Sequence, residues 1–336
     1  MTPNAISRRS LFAGLTAAAG LLATPRVFIF GELLDEPFPI IDSHVHVWDL
    51  KQFHLPWLDH NTAPLNRDYS VADYRDATKA LNIGVAVYVE VNVATGQEEL
   101  EARYVTKLCE DRETLFAAGV IAGDPRDPGF HDYIDRSKES RAIKGVRFHY
   151  PLNGSDDPAF LRGLRELGKR GLSFDLQVGP TTLADAAIAV KSCPDTQFIL
   201  NHCGGGDPHL FRPAMENELQ ARHAREDWRR GIGAVAKQPN AVCKISGVAD
   251  SALPGEATAE DVAPIVNFCL DEFGPDRVLF GGNWPVCLRG TTLEHWVQTL
   301  GKIISARSDE DRRKLLRSNA RRVYRLGEPR PALHRD

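Results

Sequence analysis

Short hydrophobic runs alternate with amphipathic segments about eight times along the chain after residue 38. The runs are rich in Val, Ile and Phe, and Gly, Pro, Asn or Asp bounds them, which is typical of buried β-strands. We therefore predict eight strands. They cover residues 39–44, 84–91, 115–121, 143–149, 172–178, 197–202, 241–246 and 277–282.

The segments between these runs carry apolar residues at helical spacing, and several end at Gly or Asn, as helices do. The predicted helices cover residues 70–82 (with Ser70 as N-cap), 97–111, 157–171, 181–193, 213–237, 258–274 and the charged segment 311–325. Eight alternations of this kind favour a single (β/α)8 TIM barrel over a doubly wound sheet. The sequence contains neither a glycine-rich dinucleotide fingerprint nor a Gly-x4-Gly-Lys-Ser/Thr phosphate loop.

The first thirty residues differ from the rest of the sequence. Arg8 and Arg9 stand directly before an alanine-rich apolar run that is too short to span a bilayer comfortably. A twin arginine ahead of such a run marks the bacterial export route for folded proteins. We expect residues 1–30 to be a twin-arginine signal peptide and residues 31–336 to form one barrel domain, exported to the periplasm with no membrane span after signal removal.

Composition narrows the class of partner. The 336 residues are 43% hydrophobic with a net charge of −4, and no basic block recurs, so nothing indicates binding to nucleic acid or to an anionic membrane. A small-molecule substrate is the expected partner, and a homo-oligomer is left open. The six cysteines show no paired short spacing, so we predict buried free thiols rather than a disulfide framework.

Polar residues recur at the ends of the predicted strands. Alternate residues of a strand share one face, so His44 and His46 point the same way. The other such residues are Glu90 and Asn92, Arg147 and His149, Asp175 and Gln177, His202, Lys244 and Ser246, and Asn283 and Trp284. Active sites of (β/α)8 barrels lie at these strand ends, and each unpaired polar group costs about 1–3 kcal/mol to bury. The pattern predicts an active site at one mouth of the barrel.

Several segments together resemble one known family. They read "IDSHVHVWD", "GVRFH", "CKISG", "FGPDRVLFGGNWPV" and "SNARRVY". The combination is similar to the amidohydrolase superfamily, in its amidohydrolase-related branch of sugar-lactone and aromatic-lactone hydrolases, over residues 38–325. The resemblance implies a (β/α)8 barrel that uses water, often activated by one divalent metal, to open lactones of sugar acids or dicarboxylates.

The resemblance also implies roles for residues. By position, His44 and His46 are ligands of a metal or of a substrate carbonyl, and His202 polarises the substrate or joins the metal. Arg147 binds a substrate carboxylate, which suits its planar guanidinium. No lysine ends the fourth strand, where two-metal members of the superfamily carry one, so we expect one zinc ion or none. Water bound to such a zinc ion has a pKa of about 7.

Two residues depart from the family pattern. Asn283 replaces the aspartate that serves as general base, and Asn201 replaces an aspartate before His202. An amide does not accept a proton near neutral pH. Either another group (Glu90, His149 or His202) is the base of a lactone hydrolase, or the enzyme is a metal-free lactone isomerase or lyase. The third account is a periplasmic barrel that binds a ligand without turnover. In the first, Asn283 donates to or accepts from the reacting group.

The remaining polar and aromatic residues complete the predicted site. Trp48 and Trp284 are expected to wall the pocket, since Trp combines an apolar face with one donor. Gln177 is expected to contact the substrate because Gln is rarely buried without partners. Lys244 either clamps an anionic substrate or bridges to a carboxylate such as Glu90.

The segments beside these residues are expected to support the site. Asp42 and Asp49 flank the first two histidines and are expected to orient an imidazole. Residues 203–227 are expected to form a lid or rim, with His209 and His223 outside the site.

Overall fold

Eight parallel strands form one sheet in which each strand pairs with the next along the chain. The structure is a computed structural model that describes residues 38–60, 63–250 and 257–327, so the predicted signal peptide lies outside the described residues. The strands are β1 (Ile40–Val45), β2 (Ile83–Val89), β3 (Phe116–Ala122), β4 (Ile143–His149), β5 (Ser173–Gln177), β6 (Gln197–Leu200), β7 (Ala241–Ile245) and β8 (Val278–Phe280). All eight lie where the hydrophobic runs predicted them, which confirms the barrel.

Eight helices follow the strands and cover the sheet. They are α1 (Val71–Thr78), α2 (Glu98–Glu110), α3 (Phe130–Lys138), α4 (Pro158–Lys169), α5 (Leu183–Ser192), α6 (Leu219–Ala236), α7 (Ala259–Phe273) and α8 (Leu293–Ile304). The chain continues into α9 (Asp309–Arg313), a π-helical segment (Lys314–Ser318) and α10 (Asn319–Val323). Ser70 caps α1 as predicted, by accepting a hydrogen bond from the backbone N–H of Asp73.

The predicted helices differ from the observed ones in two respects. Helices α3 and α8 occupy segments for which the sequence analysis made no helix prediction. Helix α6 begins at Leu219 rather than at residue 213, because Pro208 and Pro213 each open a short 3₁₀ turn that precedes it. These turns belong to the segment expected to form a lid, and its movement stays a prediction.

The barrel interior is a packed apolar core below the strand ends. Its buried members come from alternate positions of the strands, and Ala320 and Tyr324 of the C-terminal segment close it from below. The strand residues are Ile41, Val87, Val89, Ala118, Val120, Ile199, Val242 and Leu279. Such layers are typical of (β/α)8 barrels, and they confine polar side chains to the mouth.

The first and last strands meet through hydrogen bonds around Asp42. Its carboxylate accepts from the backbone N–H groups of Gly282 at 2.7 Å and His44 at 3.1 Å, and from the Tyr74 hydroxyl at 3.0 Å. Asp42 therefore joins β1 to the segment after β8 and does not contact an imidazole, contrary to expectation. The other flanking carboxylate, Asp49, is exposed and accepts from the Lys51 N–H.

Asp42→Ala is expected to lower the free energy of unfolding by about 3 kcal/mol, because three buried donors lose their acceptor. Denaturant unfolding followed by circular dichroism measures this change. Asp49→Ala is the matched control, and we expect less than about 1 kcal/mol for that exposed turn residue. Equal effects of the two substitutions would contradict the role of Asp42 in closing the barrel.

The cysteine prediction is confirmed. All six cysteines are buried and none forms a disulfide. Among the described residues, no helix combines the length and the hydropathy that a membrane span requires.

Candidate active site

Three imidazoles meet at the C-terminal mouth of the barrel. The ring centroids of His44 and His46 lie 4.9 Å apart, and those of His44 and His202 lie 4.5 Å apart. His46 Nε2 lies 3.3 Å from Asn283 Oδ1, although 237 residues separate the two in sequence. The strand ends therefore converge on one site, as a closed ring of strands requires.

The backbone turns sharply where β6 and β8 end. His202 and Asn283 both have left-handed backbones, with φ of 54° and 52°. Gly247, just after β7, also has a positive φ of 69°, and a Cβ added there would lie 2.5 Å from Cγ of His202. Only glycine leaves room for this imidazole, whose Nδ1 lies 3.0 Å from the Ser246 hydroxyl. Left-handed non-glycine residues are costly and cluster at functional sites.

His46 presents a lone pair to the site. Its Nδ1–H donates to the Val89 carbonyl at 2.7 Å, which leaves Nε2 as an acceptor in the neutral imidazole. Burial lowers the pKa of His46 to about 3, so this ring is uncharged at neutral pH. The Nε2 lone pair therefore faces another acceptor, Asn283 Oδ1.

A buried ion pair lies behind His44. Lys244 Nζ donates to Asp175 Oδ2 at 2.6 Å and to His44 Nδ1 at 3.2 Å, and all three residues are fully buried. Burial raises the pKa of Asp175 and lowers that of Lys244, and the attraction between the two charges opposes both shifts. Lys244 thus bridges to a carboxylate, as one prediction stated, but to Asp175 rather than Glu90.

The contact with Lys244 determines where His44 carries its proton. Burial and the nearby Lys244 ammonium hold the pKa of His44 well below its usual value, so the ring is neutral. Because Nδ1 accepts from Lys244, the proton resides on Nε2. That buried Nε2 has no hydrogen-bond partner among the described residues. His44 therefore offers an N–H donor beside the other two imidazoles.

Glu90 and Arg147 form a buried ion pair. Arg147 donates through Nε to a carboxylate oxygen of Glu90 and through Nη2 to the Glu90 carbonyl at 2.6 Å, and the Asn92 N–H donates to the other carboxylate oxygen. These bonds occupy Glu90, which argues against its predicted role as base. They leave the guanidinium Nη1 without a partner among the described side chains.

The predicted histidine bases are also weak proton acceptors. Burial and Arg147 hold the pKa of His202 well below its usual value. His149 lies exposed at the end of β4, and partial burial of its ring and the charge of Arg147 lower its pKa. These shifts make both imidazoles poorer proton acceptors than an unperturbed histidine.

Asp250 is a site residue that the sequence analysis missed. It follows β7, and its carboxylate accepts a hydrogen bond from Asn283 Nδ2. Burial raises the pKa of Asp250 to about 7, and the charge of Arg289 partly opposes this shift. The signal was present in "CKISGVAD", where Asp250 lies four residues beyond Ser246, the last polar residue predicted at that strand end.

Buried polar atoms without partners cluster at the same mouth. They include His44 Nε2, Asp175 Oδ1, Gln177 Oε1 and both side-chain amide atoms of Asn201. Buried polar groups in folded proteins almost always have a hydrogen-bond partner. A ligand at this mouth would supply the missing partners, in line with the substrate contact predicted for Gln177.

The two tryptophans of the predicted wall lie in an aromatic cluster. Trp48 packs against Tyr69 and donates from Nε1 to the Arg67 carbonyl at 2.7 Å. Trp284 packs edge-on against Tyr69 and at an angle against Tyr74. Both indoles are almost fully buried, and this packing accounts for their positions. Their contact with substrate stays a prediction.

The donor atoms do not fit a metal held by all three imidazoles. In the described part of the chain, three sulfurs (Cys203, Cys243 and Cys269) lie within 4.8 Å of one another, whereas the nitrogens of the three histidines do not form such a group. The Lys244 ammonium also occupies His44 Nδ1, which places a proton on the nitrogen that a metal would need.

Known proteins resemble this chain over most of its length. An L-fucono-1,5-lactonase of Burkholderia multivorans is 28% identical over 304 residues, which are 87% of this chain and 98% of that protein. An L-rhamnono-gamma-lactonase of Scheffersomyces stipitis is 26% identical over 342 residues, with 86% and 99% covered.

Solved structures and family models agree with these relatives. A crystal structure of a Burkholderia multivorans amidohydrolase with bound zinc superposes with a TM-score of 0.73 at 25% identity, covering 86% of this chain and 100% of that one. The family model described as Amidohydrolase matches residues 41–326. Since this match spans most of the sequence and ends where the barrel ends, the chain belongs to the amidohydrolase family.

Proposed function

We propose that the protein is a hydrolase that opens the ring ester of a sugar-acid lactone. The observation that carries the proposal is the buried His44 Nε2–H, an unpartnered donor at the mouth of the barrel, among other unpartnered polar atoms. Donors of this kind stabilise the negative charge that develops on a carbonyl oxygen under attack by water. The lactonase names of two relatives support the same reaction.

His44 polarises the lactone carbonyl in this proposal. Its Nε2–H donates to the carbonyl oxygen, and Lys244, 3.2 Å from Nδ1, stabilises the partial negative charge that the ring acquires as the donor. Burial and the Lys244 charge hold the pKa of His44 well below its usual value, so the ring is a neutral imidazole that donates through Nε2–H. The cation stays paired with Asp175 and needs no reorganisation during the reaction.

Other residues orient the substrate and the attacking water. Arg147 Nη1 binds a hydroxyl or carboxylate oxygen of the substrate, and Gln177 Oε1 accepts from a ring hydroxyl. One hydrogen of the attacking water points toward Asn283 Oδ1 and His46 Nε2, two acceptors only 3.3 Å apart. Sugar-acid lactones carry several hydroxyl groups, which suits a mouth lined by unpartnered polar atoms.

The proposal is tested by incubating the purified protein with 1,4- and 1,5-lactones of sugar acids, with and without added zinc, and following the products by NMR. We expect a free hydroxy acid at a rate well above spontaneous hydrolysis. An isomeric lactone or an unsaturated product would instead show an isomerase or a lyase. Binding by calorimetry without any product would show a barrel that only binds its ligand.

We also propose that residues 1–30 direct export through the twin-arginine route, which Arg8 and Arg9 support. Replacing both arginines with lysine is expected to retain the protein in the cytoplasm, because that route depends on the arginine pair. Fractionation of a bacterial host followed by immunoblotting measures this. Lys51→Arg, a change within the barrel, is the control, and equal periplasmic amounts of the two variants would contradict the proposal.

A further inference from the structure

The segment after β8 carries an amide, Asn283, and it is hydrogen-bonded directly to the carboxylate of Asp250. Asn283 Nδ2 donates to Asp250, and this bond fixes the amide so that Oδ1 faces His46 Nε2. Asp250 comes from the loop after β7, so neighbouring strands supply the amide and the acid. The pair occupies the place where the family resemblance implies a single aspartate.

The other titratable groups of the mouth are occupied or are weak bases. Glu90 accepts from Arg147 and from a backbone N–H. Asp175 is held by the Lys244 ammonium at 2.6 Å. The buried imidazoles of His44, His46 and His202 all have depressed pKa values. Among the described residues of the mouth, Asp250 is the remaining carboxylate, and a neutral amide, rather than a cation, donates to its side chain.

We infer that Asp250 is the proton acceptor for the attacking water, an inference that rests on the proposed lactone hydrolysis. The water oxygen forms a bond to the lactone carbonyl carbon, the carbonyl π pair moves to its oxygen, and one water proton passes to the Asp250 carboxylate. When the carbonyl re-forms, the ring C–O bond breaks, and Asp250 returns the proton to the leaving alkoxide. Lactone and water thus become one hydroxy acid, with no other reactant.

The surroundings of Asp250 determine its pH dependence. Asn283 donates to it from the segment after β8, and the charge of Arg289 acts on it from the turn that follows. Cys287, in the same turn, is a neutral thiol whose pKa is raised well above its usual value by burial and by Asp250. With a pKa of about 7 for Asp250, the rate falls as the pH drops below 7, because the protonated acid accepts no proton.

Asp250→Asn is the first variant of the test. It preserves the size of the side chain and an oxygen for the hydrogen bond from Asn283, but it removes the proton acceptor. We expect kcat to fall by about 10²- to 10⁴-fold with a small change in KM, and the acid limb of the kcat profile to disappear. A kcat within threefold of wild type, with the acid limb intact, would overturn the inference and leave Asp250 as a residue that positions Asn283.

The exchange variant Asp250→Asn/Asn283→Asp is the second. It keeps one carboxylate and one amide in contact, so it should fold, and thermal unfolding checks this. We expect it to recover at least tenfold of the lost kcat and to regain an acid limb. Recovery would not follow if Asp250 served only the packing of the loop, so failure of a folded exchange variant to recover would overturn the inference.

The single variant Asn283→Asp adds a negative charge to the contact with Asp250 while it keeps the size and shape of the side chain. Two carboxylates in contact share one proton, which raises the pKa of one of them. We expect the acid limb to move to higher pH, and an unchanged limb would contradict the contact. If the wild-type protein opens no lactone, the proposed function is wrong. If the wild-type protein and the Asp250→Asn variant are both active, only the inference about Asp250 is wrong.

Discussion

His44→Phe is expected to lower kcat for lactone hydrolysis by about 10²- to 10³-fold, with KM changed by less than about fivefold. Removing one donor to a developing oxyanion typically costs this much, because the donor acts mainly in the transition state. Phenylalanine fills the space of the imidazole between His46 and His202, so packing is preserved. Steady-state kinetics, measured with the lactone that the product screen identifies as a substrate, gives both constants.

The matched variant His44→Gln retains an N–H donor at similar reach. It should recover part of the lost kcat, whereas a variant that fails only through poor packing would not respond to the added donor. Thermal unfolding of both variants controls for folding. If His44→Phe keeps kcat within threefold of wild type, the carbonyl is polarised by another group and the proposed role of His44 is wrong.

Lys244→Met is expected to lower the free energy of unfolding by about 3–5 kcal/mol at neutral pH. The substitution leaves the Asp175 carboxylate buried without its cation, and breaking a buried ion pair in this way is strongly destabilising. Burial holds the pKa of Asp175 above its value in the unfolded chain, so the folded state takes up a proton on Asp175 more readily than the unfolded state as the pH falls. The loss should therefore shrink as the pH falls toward 4 and grow as the pH rises.

The double variant Asp175→Leu/Lys244→Met separates stability from activity. It replaces both charges with apolar groups, which is often neutral for stability, so most of the lost free energy should return. Activity should stay low, since His44 Nδ1 no longer accepts from an ammonium and nothing places the ring proton on Nε2. Denaturant unfolding at two pH values and kinetics measure the two effects. A double variant with wild-type kcat would show that the ion pair serves only the fold.

Much of the site was predictable because strand ends are local features. The hydrophobic runs predicted each strand to within two residues, and the polar residue after each run identified His46, His202 and Asn283. Helix α8 was missed although Leu293, Trp296 and later apolar residues have helical spacing. Helix α3 is harder to predict, because its nine residues bury few apolar side chains.

Which distant residue each of these side chains contacts was less predictable. The sequence left Lys244 open between a substrate clamp and a bridge to a carboxylate, and the observed partner, Asp175, lies 69 residues away. Trp48 is a residue type that often walls a pocket, yet it packs inside an aromatic cluster with Tyr69. The pattern of a single segment carries no information about which distant segment packs against it.

The sequence by itself determined the alternation of strands and helices, and hence which polar side chains stand at the mouth, because side-chain periodicity and turn residues act over a few positions. Tertiary structure alone decided their chemical states. The proton of His44 resides on Nε2 because Lys244, 200 residues away, faces Nδ1. Asp250 lies against Asn283 because β7 and β8 are neighbours in the ring. Hydrogen-bond partners and burial set protonation, and both arise only when the ring of strands closes.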